Sequence, residues 1–429
     1  MYKYTRFGDV LWRNWAKSNP SATFVEPMLT QKKLREPKFV CLADVRIYIF
    51  CNFTKNLILL DMNEYIKRIN ALVSKIPVEF IDFTKPREKA SLPNQAQSNF
   101  ITNREQGDWA ENLVMTTINE QSKNYIAVKY GKSDDTVAGE DGFKEFYETY
   151  QQELDTIGKR PDLLIFRKED YDITFGTDIS KIDHIKINDY VKRAVAGIEV
   201  RSSAFLCGQY EEVMSSRISS HIQTAMCIKE KILAEYVEDM QLPKRKSYID
   251  ILKSIDEESI FIVKFRTPSW RSSERLITLS NLFKQLNREI ASIQSIKPYL
   301  SITPKVEDIK VVYKWINEFG VPHYYFQVFF DKIYGLSFEN ILKIISDSKN
   351  EDETFSVGED SKNQRKKTIK INTNVGITLS TNIEEPEHYS QKKVFCDGRL
   401  LFYVGFKGGK ANLNIENIAQ ILGLANNGF

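Results

Sequence analysis

Little in this chain would build a disulfide scaffold or a histidine-cysteine metal site. Its 429 residues include 5 cysteines and 4 histidines. The cysteines (Cys41, Cys51, Cys207, Cys227 and Cys396) are odd in number and widely spaced, with no CxxC pair. That excludes a disulfide framework and a zinc knuckle, and fits a reducing cytoplasm. The histidines (His184, His221, His323 and His388) show no HExxH spacing. There is no internal repeat and no glycine-rich phosphate loop, because "GFKGGKANLN" lacks the strand–turn–helix context such a loop requires. The opening "MYKYTRFGDVLWRNW" has no apolar run, so no secretory signal is expected. The most apolar early stretch, "FVCLADVRIYIFCNF", is interrupted by Asp44 and Arg46 and reads as buried strands rather than a membrane span. An excess of one charge is also missing. The formal net charge of +3 does not establish a polyanion partner and does not oppose one.

What is present is ordinary globular composition, 42% hydrophobic and 27% charged, in a chain too long for one core. Two or three lobes are expected. Residues 1–95 mix aromatic strand-like runs with a helix in "MNEYIKRINALVSKI", and the polar "TKPREKASLPNQAQS" (84–98) reads as a linker. Helical patterns occur next at 107–121, 209–240, 273–293, in "EDIKVVYKWINEFG" closed by Gly320, and in "SFENILKIIS". Strands are expected at "RPDLLIF" (160–166), "GIEVRSSAF", "SIFIVKF" (259–265) and "HYYFQVFFD" (323–331). Residues 167–195 read as an excursion from the sheet. "DSKNEDETFSVGEDSKNQRKK" reads as a solvated loop, and "KTIKINTNVGITL" and "RLLFYVGFKGG" as β-hairpins.

Within this order a few acids and one arginine stand out. Glu199 and Arg201 are two apart in an apolar strand and so point to one side. Asp162 opens the preceding core strand. Glu111 shares a helix face with Val114, Met115 and Ile118, so it points inward. Like charges brought together this way repel, and burial adds to the cost, unless a cation joins them. Oxygen ligands with few protein carboxylates suit Mg²⁺, which keeps several waters and can activate one of them against a phosphate. Simpler readings stand beside this one. Glu199 and Arg201 could form a same-face ion pair on an edge strand. Asp108 and Glu111 fit a helix capping box with Asp108 as N-cap.

"PD" at 161–162, "ExR" at 199–201 and a preceding helix with "GDWAE" together resemble the PD-(D/E)xK nuclease superfamily. The type II restriction endonucleases are the most similar subset, and "VPHYYFQVFFDKIYGLSFENIL" (321–342) is similar to the segment after their catalytic strands. The resemblance covers roughly 100–345. It implies an α/β fold, a restriction-endonuclease-like core with a mixed central sheet flanked by helices, over 96–345. Residues 1–95 would be an N-terminal addition for recognition or dimerisation, and 346–429 a charged loop with a β-rich C-terminal region. It further implies Mg²⁺-dependent hydrolysis of double-stranded DNA at a short sequence, by a bacterial, cytoplasmic homodimer with no membrane association. Glu111, Asp162, Glu199 and Arg201 would be catalytic, with Asp162, Glu199 and Glu111 at the metal.

The sequence departs from that pattern twice. The interval from Asp162 to Glu199 exceeds the short hairpin common in the group, so an insertion is expected. Arg201 stands where lysine is usual, and arginine does not act as a base. Lys159 or Lys264 is a partial substitute. Lys159, Arg160, Ser202, Ser203, Arg266 and Arg271 are candidates for DNA contacts, with a solvated loop as the plain alternative for 266–275. A repair or recombination nuclease of the same superfamily, or a DNA-binding protein without catalysis, are the competing functions.

Overall fold

The structure is a computed structural model that describes residues 64–132, 136–351, 353–359 and 367–424. These lie within one compact unit spanning 58–429. The strand-like runs read in residues 1–63 and most of the basic run "KNQRKK" fall outside the described residues.

The architecture is mixed α/β, as expected. Six strands form the central sheet in the order β1-β2-β3-β5-β6-β9. They are β1 (Tyr125–Lys129), β2 (Leu163–Arg167), β3 (Ala196–Ser202), β5 (His323–Val328), β6 (Ile333–Ser337) and β9 (Ile377–Ser380). β3 and β5 run parallel, and the other neighbours are antiparallel. β3 is therefore interior, which removes the edge-strand reading of "EVR". Alternation along β3 divides its side chains. Ile198 and Val200 join the core beneath helix α1 (Ser98–Gln121), with Trp109, Leu113 and Val114. The opposite face packs against α7 (Val306–Phe319) through Tyr325, Val312, Trp315 and Ile316.

A parallel pair needs a long crossover. Here the β3–β5 connection carries α4 (Cys207–Glu235), α5 (Ser247–Ser254) and α6 (Glu274–Ser295). This lobe has its own core around Ile232, Leu252, Phe283 and Leu286. "SIFIVKF" belongs to it and is not a strand. Ser259–Phe261 form one 3-10 turn whose Ile260 fills the lobe core, while Ile262 is exposed. Among the described residues no strand pairs with it. The helix expected over 209–240 ends at Glu235, and a 3-10 turn covers Glu238–Met240.

Three further expectations change. α1 begins at Ser98, so Asp108 is inside a helix and is not its N-cap. "KTIKINTNVGITL" is not a hairpin. β8 (Lys367–Asn372) pairs with β4 (Ser301–Ile302) and β7 (Phe355–Glu359), while β9 joins the central sheet. Part of the expected solvated loop is β7 itself, anchored by buried Phe355 against Ile371. Strands β10 (Glu387–Val394) and β11 (Leu400–Lys407) do form a hairpin. Among the described residues no helix is long and apolar enough to cross a membrane.

The loop into β2 is pinned to α7. Gly158 has φ +87, and its missing side chain lets the chain run along the helix, where Lys159 N–H donates to the Val311 carbonyl at 3.0 Å. A Cβ there would press on the Val311 carbonyl and lie 2.6 Å from Trp315 N. Gly158→Ala is expected to lower stability by about 2–4 kcal/mol, from left-handed strain plus overpacking. Equal denaturation midpoints for the variant and the wild type would show that this loop is not fixed by α7.

Candidate active site

Asp162 sits at the mouth of β2, and its Oδ2 accepts the Val200 N–H from β3 at 2.7 Å. The backbone on its other side is equally constrained: Tyr130 and Gly131 both donate N–H to the Asp162 carbonyl, at 2.9 and 3.0 Å. A Cβ on Gly131 would lie 3.1 Å from Asp162 Oδ1, so glycine keeps that oxygen's surroundings clear. Burial first, and then the Glu199 charge, push the Asp162 carboxyl up to about 7.

Glu199 and Arg201 share the α7 face of β3, in register with Tyr325 and Gln327 of β5. Glu199 is buried, 1% exposed. Its Oε1 forms an ion pair with Arg201 Nη2 at 2.9 Å and, in a short contact, accepts from Lys159 Nζ. Burial alone would raise this carboxyl. The Lys159 and Arg201 charges outweigh burial and hold it below its ordinary range.

A residue that sequence reasoning missed completes the group. Asp308, in the first turn of α7, accepts from Lys159 Nζ at 3.0 Å and from Arg201 Nη2 at 2.6 Å. The two cations thus bridge two carboxylates contributed by different elements. Asp308 is held well below its usual range because Lys159 and Arg201 overcome its burial. The same partners act in reverse on Lys159. Burial would lower its pKa, but Asp308 and Glu199 raise it well above the ordinary value, so it stays an ammonium. "VED" in a helix start carries no signal that distinguishes Asp308 from other acids in the chain.

Three buried polar atoms in this cluster have no partner among the described residues: Glu199 Oε2, Arg201 Nε and Tyr325 Oη. Such atoms are costly unless something binds them. Glu199 Oε2 and the Asp162 Oδ1 that Gly131 leaves clear are hard oxygen donors on adjacent strands, a set that fits Mg²⁺ or a similar cation retaining waters. Among the described residues no three histidine, cysteine, aspartate or glutamate side chains form a group able to hold a metal. Glu111 approaches from the α1 layer and pairs with Lys129 Nζ at 3.8 Å. Burial and then the Asp162 charge push its carboxyl well above its ordinary range.

The candidate DNA contacts separate. Lys159 is inside the ion cluster. Arg160 is 2% exposed on its side chain and is an internal strut, giving Nε and Nη2 to Glu153 at 2.6 and 2.9 Å and Nη1 to the Ile182 carbonyl at 3.1 Å. A guanidinium enclosed in this way is not presented to DNA. Ser203 accepts from Gln327 Nε2 at 3.1 Å, and Ser202 is half-buried at the end of β3. Arg266 and Arg271 are exposed on the helical lobe.

The AccI restriction endonuclease family model matches residues 62–429. No curated protein and no solved structure matches the chain. The matched segment takes in α1, the whole central sheet and the cluster around Glu199. The chain therefore belongs to the AccI restriction endonuclease family, which is a family of type II restriction endonucleases.

Proposed function

We propose that this chain cuts both strands of duplex DNA at a short specific sequence, with Mg²⁺, at a PD-(D/E)xK-type centre built on Asp162, Glu199 and Arg201. The observation that carries the reading is the bond from the Val200 N–H to Asp162, which holds that carboxylate against β3 next to Glu199 and its two cations, in a chain of this family.

Asp162 and Glu199 would hold the metal, each with one oxygen not engaged by a protein donor. When bound, the cation supplies Lewis-acid activation of water and positive charge at the scissile phosphate. Arg201 keeps its charge at every working pH, because Glu199 and Asp308 reinforce it against burial. Its planar fork suits a phosphate oxygen, and its Nε is unpartnered. Neither Lys159 nor Arg201 gives up a proton in this arrangement, so neither is a side-chain base. The role of Glu111 is indirect, acting through charge from the α1 layer with Lys129 as counterion.

A cleft of about 360 Å³ opens beside the end of β3, lined by Ser203, Phe205, Tyr210, Tyr299, Lys297 and Lys370. Hydroxyls, aromatic faces and lysines are the groups that track a nucleic-acid strand, so this cleft is the proposed path of the substrate. Base recognition and dimer contacts are assigned to the N-terminal region and the β-rich C-terminal part. A cytoplasmic homodimer would match a palindromic site by its two-fold axis.

Plasmid incubated with the protein and Mg²⁺ is expected to give discrete fragments. Asp162→Asn and Glu199→Gln should give none while still retarding duplex DNA in gels. Full cleavage by either variant overturns the metal assignment. Glu111→Gln should slow cleavage by more than any fall in melting temperature explains; a stability loss that accounts for all the lost rate would make Glu111 structural.

Arg201 has its own test in single-turnover cleavage at saturating Mg²⁺. Arg201→Ala should be slower by about 10²-fold, the scale of deleting one preorganised donor. Arg201→Lys keeps the charge without the fork and should retain measurable rate. Equal rates for wild type and alanine would place the working cation elsewhere.

A further inference from the structure

The cluster contains one more carboxylate than the proposed chemistry uses. Lys159 Nζ and Arg201 Nη2 are each shared between Glu199 Oε1 and Asp308 Oδ2. If the two cations had Glu199 alone, they would compete directly with a divalent ion for that carboxylate. Asp308 gives each of them a second partner from a different element. The first turn of α7, where backbone N–H groups favour negative charge, fixes that partner in place.

We infer that Asp308 is a positioning residue that retains Lys159 and Arg201 while Glu199 turns its oxygens to the metal. The inference rests on the reading of Asp162 and Glu199 as metal holders. The charge count gives it a direction. With Asp162 ionised, as metal binding requires, Asp162, Glu199 and Asp308 against Lys159 and Arg201 leave one net negative charge, which attracts a dication. With the dication present the net charge is one positive, which attracts a phosphate. Without Asp308 the empty group is neutral and the loaded one doubly positive, so the dication is attracted less. The same loss removes an anion from the phosphate's approach, so metal-free DNA binding gains.

The test uses the full chain and two readouts that do not depend on cleavage. Mg²⁺ affinity is read by calorimetric titration, and metal-free affinity by fluorescence anisotropy of a labelled random-sequence duplex. Asp308→Asn is expected to weaken Mg²⁺ binding about tenfold, the lower end of what losing an outer-shell partner costs, and to tighten metal-free duplex binding. Asp308→Glu should return both toward wild type. The double variant Lys159→Met with Asp308→Asn removes one charge of each sign. It is expected to regain Mg²⁺ affinity relative to Asp308→Asn, and it gives a readout if the single variant folds poorly. A lowered melting temperature with unchanged Mg²⁺ and duplex affinities overturns the inference, as does a double variant with no regain. A wild-type protein that binds no Mg²⁺ overturns the metal reading beneath it. Wild-type binding matched by Asp308→Asn overturns the role of Asp308 alone.

Discussion

Four largely covered charges in alternation, Glu199 and Asp308 with Lys159 and Arg201 between them, constrain the structure around them. Taking such charges out of water is expensive, and removing one partner leaves an uncompensated ion inside the protein. The group persists because every charge in it has two opposite neighbours. That condition ties together three separate pieces of chain: the loop before β2, the interior strand β3 and the first turn of α7. It also bears on Asp162. Burial, and then the Glu199 charge, push the Asp162 carboxyl up to about 7, against the opposing pull of Lys159 and Arg201.

Backbone geometry delivers these side chains with few free variables. The register Leu163↔Ile198 puts Asp162 at the level of Glu199, and the Val200 N–H locks it there. The parallel register Glu199↔Tyr325 seats the cluster over a face closed by α7. The long crossover between β3 and β5 forms a lobe with its own helical core. Its packing therefore does not have to be solved together with that of the sheet.

Much of this was legible in local patterns. Alternation in "GIEVRS" set the two faces of β3 and placed Glu199 beside Arg201. Proline before Asp162 marked the mouth of a strand, and the apolar runs located β2 and β5. The failures were choices that depend on distant partners. "SIFIVKF" has strand composition, but only a neighbouring strand makes such a segment a strand, and its neighbours are helices. "KTIKINTNVGITL" holds two strands as expected, yet which sheet each enters depends on β4, β7 and β6. The Asp108–Glu111 spacing matched a cap, but α1 starts at Ser98, earlier than its apolar stripe suggested. Asp308 was invisible for a plainer reason. It comes from a helix more than a hundred residues after Glu199, and only the packing of α7 on the sheet brings it to Arg201.

The arginine in "EVR" ceases to be an anomaly once its neighbours are known. A lysine could occupy the same strand face, but it would sit next to Lys159, and two ammonium groups between two carboxylates leave no planar fork for a phosphate. With Lys159 already supplying the compact ammonium, the second position gains from a delocalised cation. Its Nη2 can bridge Glu199 and Asp308 while Nε remains unpartnered. The division of labour comes from that geometry. Lys159 closes the cluster from the loop, Arg201 from the strand, and Asp308 contacts both. On the proposed reading, the absence of a base at this position follows from placing two permanent cations around one glutamate.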